Sequence, residues 1–351
     1  MSKKEIQVAI IGASGYTGAE LIRLLLNHSQ VQIKALSADS NAGQEIAKIY
    51  PHLEPFALPI LQKIDEIDFS QIDLAFCCLP HTTSQKIIKS LLENKNYQNL
   101  KIIDLSADFR LSDPKDYKKW YEHAHIAEDL QKEAVYGLSE INRAKIKKTR
   151  LIANPGCYPT SALLPLIPLL ENKLIDEKQI VIDAKSGTSG AGRGLKLGNL
   201  FCEVAENMKV YGIATHRHTG EIEQELSAAL GKKLQVSFTP HLVPMNRGII
   251  STIYVNLKNG FKASDLENCL STKYQDEYFV NITKNHPATK NVAGSNFCHI
   301  AVFESRLEGQ AIIVSVIDNL VKGASGAAVQ NMNIMFGFNE KEGLQILPVN
   351  P

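Results

Sequence analysis

The chain has 351 residues, 44% hydrophobic, 21% charged and 7% aromatic, with 38 Lys+Arg against 37 Asp+Glu for a net charge of +1. This composition is that of an ordinary globular protein with bulk enough for packed cores, and it excludes a disordered, collagenous or coiled-coil chain. The length predicts about two domains, and the balanced charge without a polybasic block argues against nucleic acid or an anionic membrane as partner.

A spanning helix needs roughly 18 apolar residues, and the apolar runs at residues 8–12 and 74–79 are far shorter. The start, MSKKEIQVAIIGASG, is basic and then apolar, but it flows into a glycine turn rather than a cleavage site; it reads as a buried strand. Along the first half, short apolar runs at residues 7–11, 32–37, 74–79, 101–104 and 151–154 alternate with helical periodicity at 18–27 and 83–93. Continuous Val/Ile/Leu/Ala runs suit parallel strands buried on both faces with crossover helices between them, which predicts a doubly wound, Rossmann-type α/β domain. The basic stretch 145–150, KIKKTR, reads as a solvated helix end.

After Pro155 the runs lengthen and become β-rich, at residues 179–184, 234–240, 249–257, 279–282, 299–303 and 310–317. In one of them Thr252, Tyr254 and Asn256 alternate with Ile253, Val255 and Leu257, the pattern of an antiparallel strand with one face exposed. A second, α+β domain with a mostly antiparallel sheet is expected. Residues 318–336 read as one glycine-interrupted helix, apolar enough to dock back on the first domain. The domains are therefore expected at residues 1–155 with 320–351 and at residues 156–319.

Gly12-Ala13-Ser14-Gly15-Tyr16-Thr17-Gly18 follows a strand and opens a helix, so its glycines stand where the backbone turns sharply and approaches a ligand. Free amides at such a helix start can hold a pyrophosphate. Residues 1–155 and 320–351 thus read as the dinucleotide-binding domain. Asp39 lies 21 residues past Gly18, near where an acid grips the adenosine ribose of NAD and repels a 2′-phosphate. Ser37 and Ser40 could instead bond a phosphate, so the choice between NAD and NADP stays open at this point.

Six cysteines, Cys77, Cys78, Cys157, Cys202, Cys269 and Cys298, form no CxxC pair and no Cys/His zinc spacing. Too sparse for a disulfide scaffold, they suit a reducing cytoplasm and give no metal site. Five read as packing residues. Cys157, in Asn154-Pro-Gly-Cys-Tyr-Pro-Thr160, differs: if the segment from Pro159 is helical, the thiol stands at a helix N-terminus, where the thiolate is favoured. Pro165 and Pro168 would make that helix irregular or late-starting. A thiolate nucleophile calls for a nearby acid/base, and Thr215-His-Arg-His-Thr-Gly-Glu-Ile222 offers two histidines; an extended conformation would turn both to one side, and spacing leaves His216 and His218 equally open. The loop Lys185-Ser-Gly-Thr-Ser-Gly-Ala-Gly-Arg193 could close over a nicotinamide or an anionic substrate. Arg110 and Arg247 could grip phosphate or carboxylate, or stand in buried ion pairs.

Taken in order from residue 10 to residue 333, the motifs IIGASGYTGAEL, LPHTTSQ, IDLSADFRL, VYGLSEINR, NPGCYPT, SGTSGAGR, HRHTGEI, FTPHLVPMNRGI and DNLVKGASGAAVQNMN closely resemble the N-acetyl-gamma-glutamyl-phosphate reductase family, whose wider kin are the aspartate-semialdehyde dehydrogenases. The resemblance implies NADPH-dependent reduction of N-acetyl-L-glutamyl 5-phosphate to the 5-semialdehyde with release of phosphate, in arginine biosynthesis. It implies Cys157 as nucleophile, forming a thioester, and His216 as acid/base. Gly12, Ser14, Gly15, Tyr16, Thr17 and Gly18 would hold the pyrophosphate, with Ser37 and Asp39 beside the ribose and Gly187, Gly190 and Asn319 near the nicotinamide. Arg110, Asn154, Arg193 and Glu221 match substrate-binding positions. The partner is then a small anionic substrate, and the assembly a homodimer or homotetramer.

Two positions depart from the family pattern. Asp39 stands where an arginine is usual after the second strand, which leaves NAD as the alternative to NADP. Gly220 replaces a proline in the histidine motif, loosening the chain by about 0.4–1 kcal/mol through unfolded-state entropy. The alternative functions are a related reductase of aspartyl phosphate or carrier-bound aminoadipyl phosphate, or a catalytically silent NAD(P)-binding protein.

Overall fold

The run IQVAII forms the first strand, β1 (Ile6–Ile11), with five of its six residues buried, in the computed structural model, which describes residues 5–349. Such burial on both faces requires partners on both edges. These are β2 (Val31–Ser37) on one side and, on the other, β4 (Leu74–Cys77), the latter following the short β3 (Leu61–Gln62). Completed by β5 (Lys101–Asp104), β6 (Val135–Tyr136) and β7 (Leu151–Ala153), the sheet runs in the order β3-β2-β1-β4-β5-β7-β6. Every pairing is parallel, as the unalternating apolar runs predict. Strand order reverses at β1, the kind of switch point outside which doubly wound sheets bind ligands.

Helices α1 (Tyr16–Leu25) and α2 (Ser84–Leu92) lie where helical periodicity places them. Ile88, Leu91 and Leu92 of α2 pack on Ala9, Ala75 and Ile102 of the sheet, each large side chain contributing about 1.5–3 kcal/mol on burial. The polar helices α3 (Pro114–Tyr121), α4 (Glu128–Glu133) and α5 (Ser139–Ile146) were not expected from periodicity. Residues Lys147 and Lys148, just beyond α5, are exposed, so KIKKTR is a solvated helix end.

The second unit opens with α6 (Cys157–Glu171), in which every residue from Tyr158 to Leu170 is buried. Contrary to the expectation of an irregular or late start, Pro165 and Pro168 lie inside a continuous helix. A mid-helix proline removes an amide donor. At Pro168 the carbonyl so deprived is that of Leu164, and the Tyr274 hydroxyl donates to it instead. There follow β8 (Val181–Gly187), α7 (Phe201–Val204), β9 (Lys209–Val210), α8 (His218–Leu230), β10 (Ser237–Val243), β11 (Ile249–Asn256), α9 (Ala263–Tyr274), β12 (Val280–Ile282), β13 (Cys298–Glu304) and β14 (Gln310–Ile317). The sheet order is β12-β13-β14-β11-β8-β10-β9. It is mixed, with β8–β10 and β12–β13 parallel and the other four pairings antiparallel. Helices α6 and α9 pack on β11 to β14. In β11 the half-buried Ile250, Thr252, Tyr254 and Asn256 alternate with buried neighbours, as read from the sequence.

The segment expected as one helix over 318–336 is two pieces. A π-helical turn, Val321–Ser325, precedes α10 (Gly326–Phe336), which packs on α1, α5 and β5. The two units accordingly divide after Pro155 and Gly323, with Ala324–Gln345 in the first and the described residues from Ile346 in the second.

Candidate active site

In the first unit, the chain leaves β1 through Gly12, whose φ of +84° and a would-be Cβ only 2.5 Å from the Cys78 carbonyl oxygen admit glycine alone. The amides of Gly12 and Ala13 donate to the Ser37 carbonyl at 2.9 and 2.8 Å, tying the turn to the end of β2. A Cβ at Gly18 would strike Ala13 at 2.6 Å, so this glycine serves close packing of α1 on the turn. Gly15 caps α1 without a side-chain bond, and no acidic residue stands in the first turn. A Cβ on Gly15 would meet nothing nearer than 3.6 Å. Uncapped amides, a positive helix end and open space above Gly15 fit a pyrophosphate. Ser14 gives its carbonyl to the Tyr50 hydroxyl, 3.0 Å. Ser37 is buried at the end of β2, while Asp39 is exposed beyond it.

Two residues read as substrate ligands are held by the backbone of this unit. Arg110, 8% exposed, donates from Nε to the Asn154 carbonyl (2.8 Å) and from Nη2 to that of Leu105 (3.0 Å). The Asn154 amide donates to the Ala324 carbonyl, and its Oδ1 accepts from Asn331 at 3.1 Å.

In the second unit, Cys157 is the first residue of α6, after the extended Gly156. A Cβ on Gly323 would lie 2.7 Å from the Cys157 Cβ, so the π-helical turn approaches the cysteine as only glycine permits. Glu221, in the first turn of α8 and 1% exposed, accepts the Gly156 amide at 2.8 Å. His216 precedes α8 and accepts the His218 amide on Nδ1 at 3.1 Å. Its ring meets those of Tyr158 (5.7 Å between centroids), Tyr211 (5.3 Å), His218 (4.9 Å) and Phe238 (5.5 Å). Burial first, then the Arg217 guanidinium, pushes its pKa down to about 4. The Tyr211 hydroxyl donates to that of Tyr158, which donates to the His241 carbonyl, both at 3.1 Å. Burial chiefly, and Cys157 in part, raises both phenols, Tyr211 to about 12.

The loop after β8 is pinned from three sides. Thr188 and Ser189 donate their amides to Met245 and Asn246 at 2.8 and 3.2 Å. Asn319 joins the two segments, donating to Ser189 Oγ (2.9 Å) and accepting the Gly248 amide (2.7 Å). A Cβ on Gly187 would meet the Asn246 carbonyl oxygen at 2.8 Å, and one on Gly190 would lie 3.7 Å from the Asn319 amide. Gly187, Gly190 and Asn319 are therefore one cluster. Arg193 is exposed beyond it. Arg247, its side chain 34% exposed, lies 3.6 Å from the buried Asp318.

Two expectations are corrected, and three neighbouring residues were missed. The HRH segment is not extended, because His218 begins α8. Cys202 is exposed in α7, so it is not a packing residue. Gly323, Tyr158 and Tyr211 surround the cysteine and histidine yet were not singled out; the glycine before the last helix was the only visible sign. Among the described residues there is no metal-binding cluster of His, Cys, Asp and Glu, and no helix is long and apolar enough to cross a membrane.

Residues 7–149 match the semialdehyde dehydrogenase NAD-binding domain, and residues 157–319 match the semialdehyde dehydrogenase dimerisation domain. The N-acetyl-gamma-glutamyl-phosphate reductase of Rhodospirillum rubrum is 56% identical over 99% of this chain and 99% of its own length. The chain belongs to the N-acetyl-gamma-glutamyl-phosphate reductase family. A probable chloroplastic N-acetyl-gamma-glutamyl-phosphate reductase of Arabidopsis thaliana is 54% identical over 99% of this chain and 86% of the plant protein. In fold, the chain is similar to aspartate semialdehyde dehydrogenase II of Vibrio cholerae, with a TM-score of 0.72 at 17% identity over 95% of this chain and 99% of that one. The Candida albicans aspartate semialdehyde dehydrogenase with NADP gives 0.69 at 18% identity over 95% and 99%. Membership makes the chain an oxidoreductase with an NAD(P)-binding domain.

Proposed function

We propose that the chain reduces N-acetyl-L-glutamyl 5-phosphate to N-acetyl-L-glutamate 5-semialdehyde, releasing phosphate, with NADPH as reductant and Cys157 as the nucleophile. Cys157 carries this reading: it opens a buried helix of 15 residues, whose positive N-terminal end favours a thiolate. The thiolate adds to the acyl-phosphate carbonyl, and breakage of the bond to phosphate leaves a thioester on Sγ. A bound reduced nicotinamide supplies hydride to that thioester. The tetrahedral species then collapses to the aldehyde and frees Cys157, with His216 as the acid/base.

Gly12, Ser14, Gly15, Tyr16, Thr17 and Gly18 would hold the pyrophosphate, Ser37 and Asp39 the adenosine ribose, and Gly187, Gly190 and Asn319 the nicotinamide. Arg193 is the proposed substrate ligand. Arg110, Asn154 and Glu221, engaged by backbone groups, act by holding the segment that leads into Cys157. We assign the second unit to self-assembly as a homodimer or homotetramer. Supporting this are the half-exposed face of its sheet and the apolar stretch in which Leu195 and Phe201 are 92% and 83% exposed, as on interaction surfaces. Six cysteines outside any disulfide suit the cytoplasm.

The test is the reverse reaction, phosphate-dependent reduction of NADP or NAD by N-acetylglutamate semialdehyde, with aspartate semialdehyde alongside. Activity with the acetylated substrate and NADP is expected. Preference for NAD would keep the reaction and give Asp39 the discriminating role; preference for aspartate semialdehyde would overturn the substrate, and inactivity with both would favour a silent binding protein.

A further inference from the structure

We infer that Tyr158 and Tyr211 are positioning residues that work as one hydrogen-bonded clamp, setting the place of the His216 imidazole relative to Cys157. The inference rests on the placing of Cys157 and His216 in the active site proposed above, and it concerns where the imidazole is held.

The order of donors in the clamp follows from its ends. Burial above all raises both phenols, Tyr211 to about 12, so each hydroxyl keeps its proton at neutral pH. The His241 carbonyl can only accept, and the Tyr158 hydroxyl donates to it at 3.1 Å. Having given its one proton there, Tyr158 accepts from Tyr211, again at 3.1 Å. The Tyr211 amide donates to the Pro240 carbonyl at 3.1 Å. Successive carbonyls of β10 thus hold the two tyrosines, one through its hydroxyl and the other through its backbone.

The segments so joined carry the two reacting groups. Tyr158 is 2% exposed and follows Cys157 in the first turn of α6. Tyr211 precedes the turn that leads to His216, whose amide donates to the Gly212 carbonyl at 2.8 Å. Gly212 has a φ of +58°, and a Cβ there would stand 3.2 Å from the His216 Cβ, so this turn is tight. The imidazole meets the Tyr158 ring at 87° and the Tyr211 ring at 70°, the edge-to-face geometry that aromatic rings favour. Because the two hydroxyls bond each other, neither phenol can swing away from the imidazole without breaking that bond. Packing alone does not call for the hydroxyls, since Phe238 of β10 touches the same imidazole at 84° with a plain phenyl ring. What the hydroxyls add is a fixed place, and a displacement of about 1 Å at a reacting centre can cost on the order of 100-fold in rate.

Tyr158→Phe, Tyr211→Phe and the double variant keep every ring and remove only hydroxyls. Tyr158→Phe deprives Tyr211 of its acceptor and the His241 carbonyl of its donor, whereas Tyr211→Phe spares the bond to His241. In the phosphate-dependent oxidation of N-acetylglutamate semialdehyde, kcat should fall by about 10-fold or more in Tyr158→Phe and by about five-fold or more in Tyr211→Phe, with KM within about two-fold of the unsubstituted chain. The double variant should be within about two-fold of Tyr158→Phe alone, as for groups that act as a unit. Losses that multiply, or a change in KM without a fall in kcat, would overturn the clamp. Histidine-selective labelling of the full chain gives a readout independent of rate. The ring-proton signals of His216, assigned by their loss in His216→Gln, are displaced by the flanking aromatic rings and should move towards the free-histidine positions in both tyrosine variants. Slow turnover with those signals unmoved would show that the hydroxyls act elsewhere and would also overturn it. Should Tyr158→Phe not fold, Tyr211→Phe, at a partly exposed position, carries both readouts alone. Wild-type turnover in His216→Gln would overturn the parent placing of His216, whereas impaired turnover there with wild-type turnover in both tyrosine variants overturns only the clamp.

Discussion

Glu221 ties the histidine-bearing end of α8 to the amide before Cys157, and as a 1% exposed carboxylate it has a defined acceptor's task there. Glu221→Ala would leave the Gly156 amide unsatisfied, at about 1–3 kcal/mol. Turnover should fall with little change in KM and with a lower unfolding midpoint, and Glu221→Gln, which keeps an acceptor oxygen, should recover most of both. A rise in KM alone would restore the substrate-ligand reading. The sequence made Glu221 visible through the HRHTGEI motif, yet gave only its type and not its partner. Arg110 and Asn154 show the same limit: their motifs located them, but their bonds to carbonyls at the strand ends depend on pairings remote in sequence. Gly323 was less legible still, since its need for a missing Cβ arises from Cys157, 166 positions earlier.

At the scale of elements, strands buried on both faces were readable because apolar residues run through them without alternation, and β11 because its alternation is unbroken. Helices α3, α4 and α5 were not, because they are short and polar and bury only two or three residues each. Strand β10 begins at Ser237 rather than near 234, its register being set by parallel pairing with β8 and not by its own pattern. Strand β5 ends in a feature that no pattern reveals. Asp104 is fully buried, accepting from Ser84 Oγ at 2.9 Å and from the Ser106 amide and hydroxyl at 3.0 and 2.7 Å. Burial, then Asp108, raises its pKa from 3.8 to about 7. A pKa raised on folding contributes stability that is full below the unfolded value and is lost as pH rises through the folded one. Asp104→Asn should therefore remove a decline in stability between about pH 4 and 7, raising the unfolding midpoint at pH 8 by a few degrees, on the order of a few kcal/mol at most. Thermal unfolding across that range checks it, and a lower midpoint at every pH would show the carboxylate to be required.

For the whole molecule, composition and strand texture placed a parallel α/β unit before one with a mostly antiparallel sheet; the first sheet is wholly parallel, and four of the six pairings in the second are antiparallel. The return of the chain was legible only in outline. The apolar stretch after β14 was read as one helix, but a π-helical turn precedes α10, because Gly323 must pass close to Cys157. Near-zero net charge is no obstacle to an anionic substrate, since local cations and helix termini can bind it. The proposed chemistry turns on one sulfur atom. Its most direct test compares the unsubstituted chain with Cys157→Ala in the phosphate-dependent oxidation of N-acetylglutamate semialdehyde, with thermal unfolding measured on both. Loss of turnover by about 10⁴-fold or more, with the unfolding midpoint unchanged, is the predicted result. Turnover retained by Cys157→Ala, or lost only because the variant unfolds, would contradict a covalent role for Cys157.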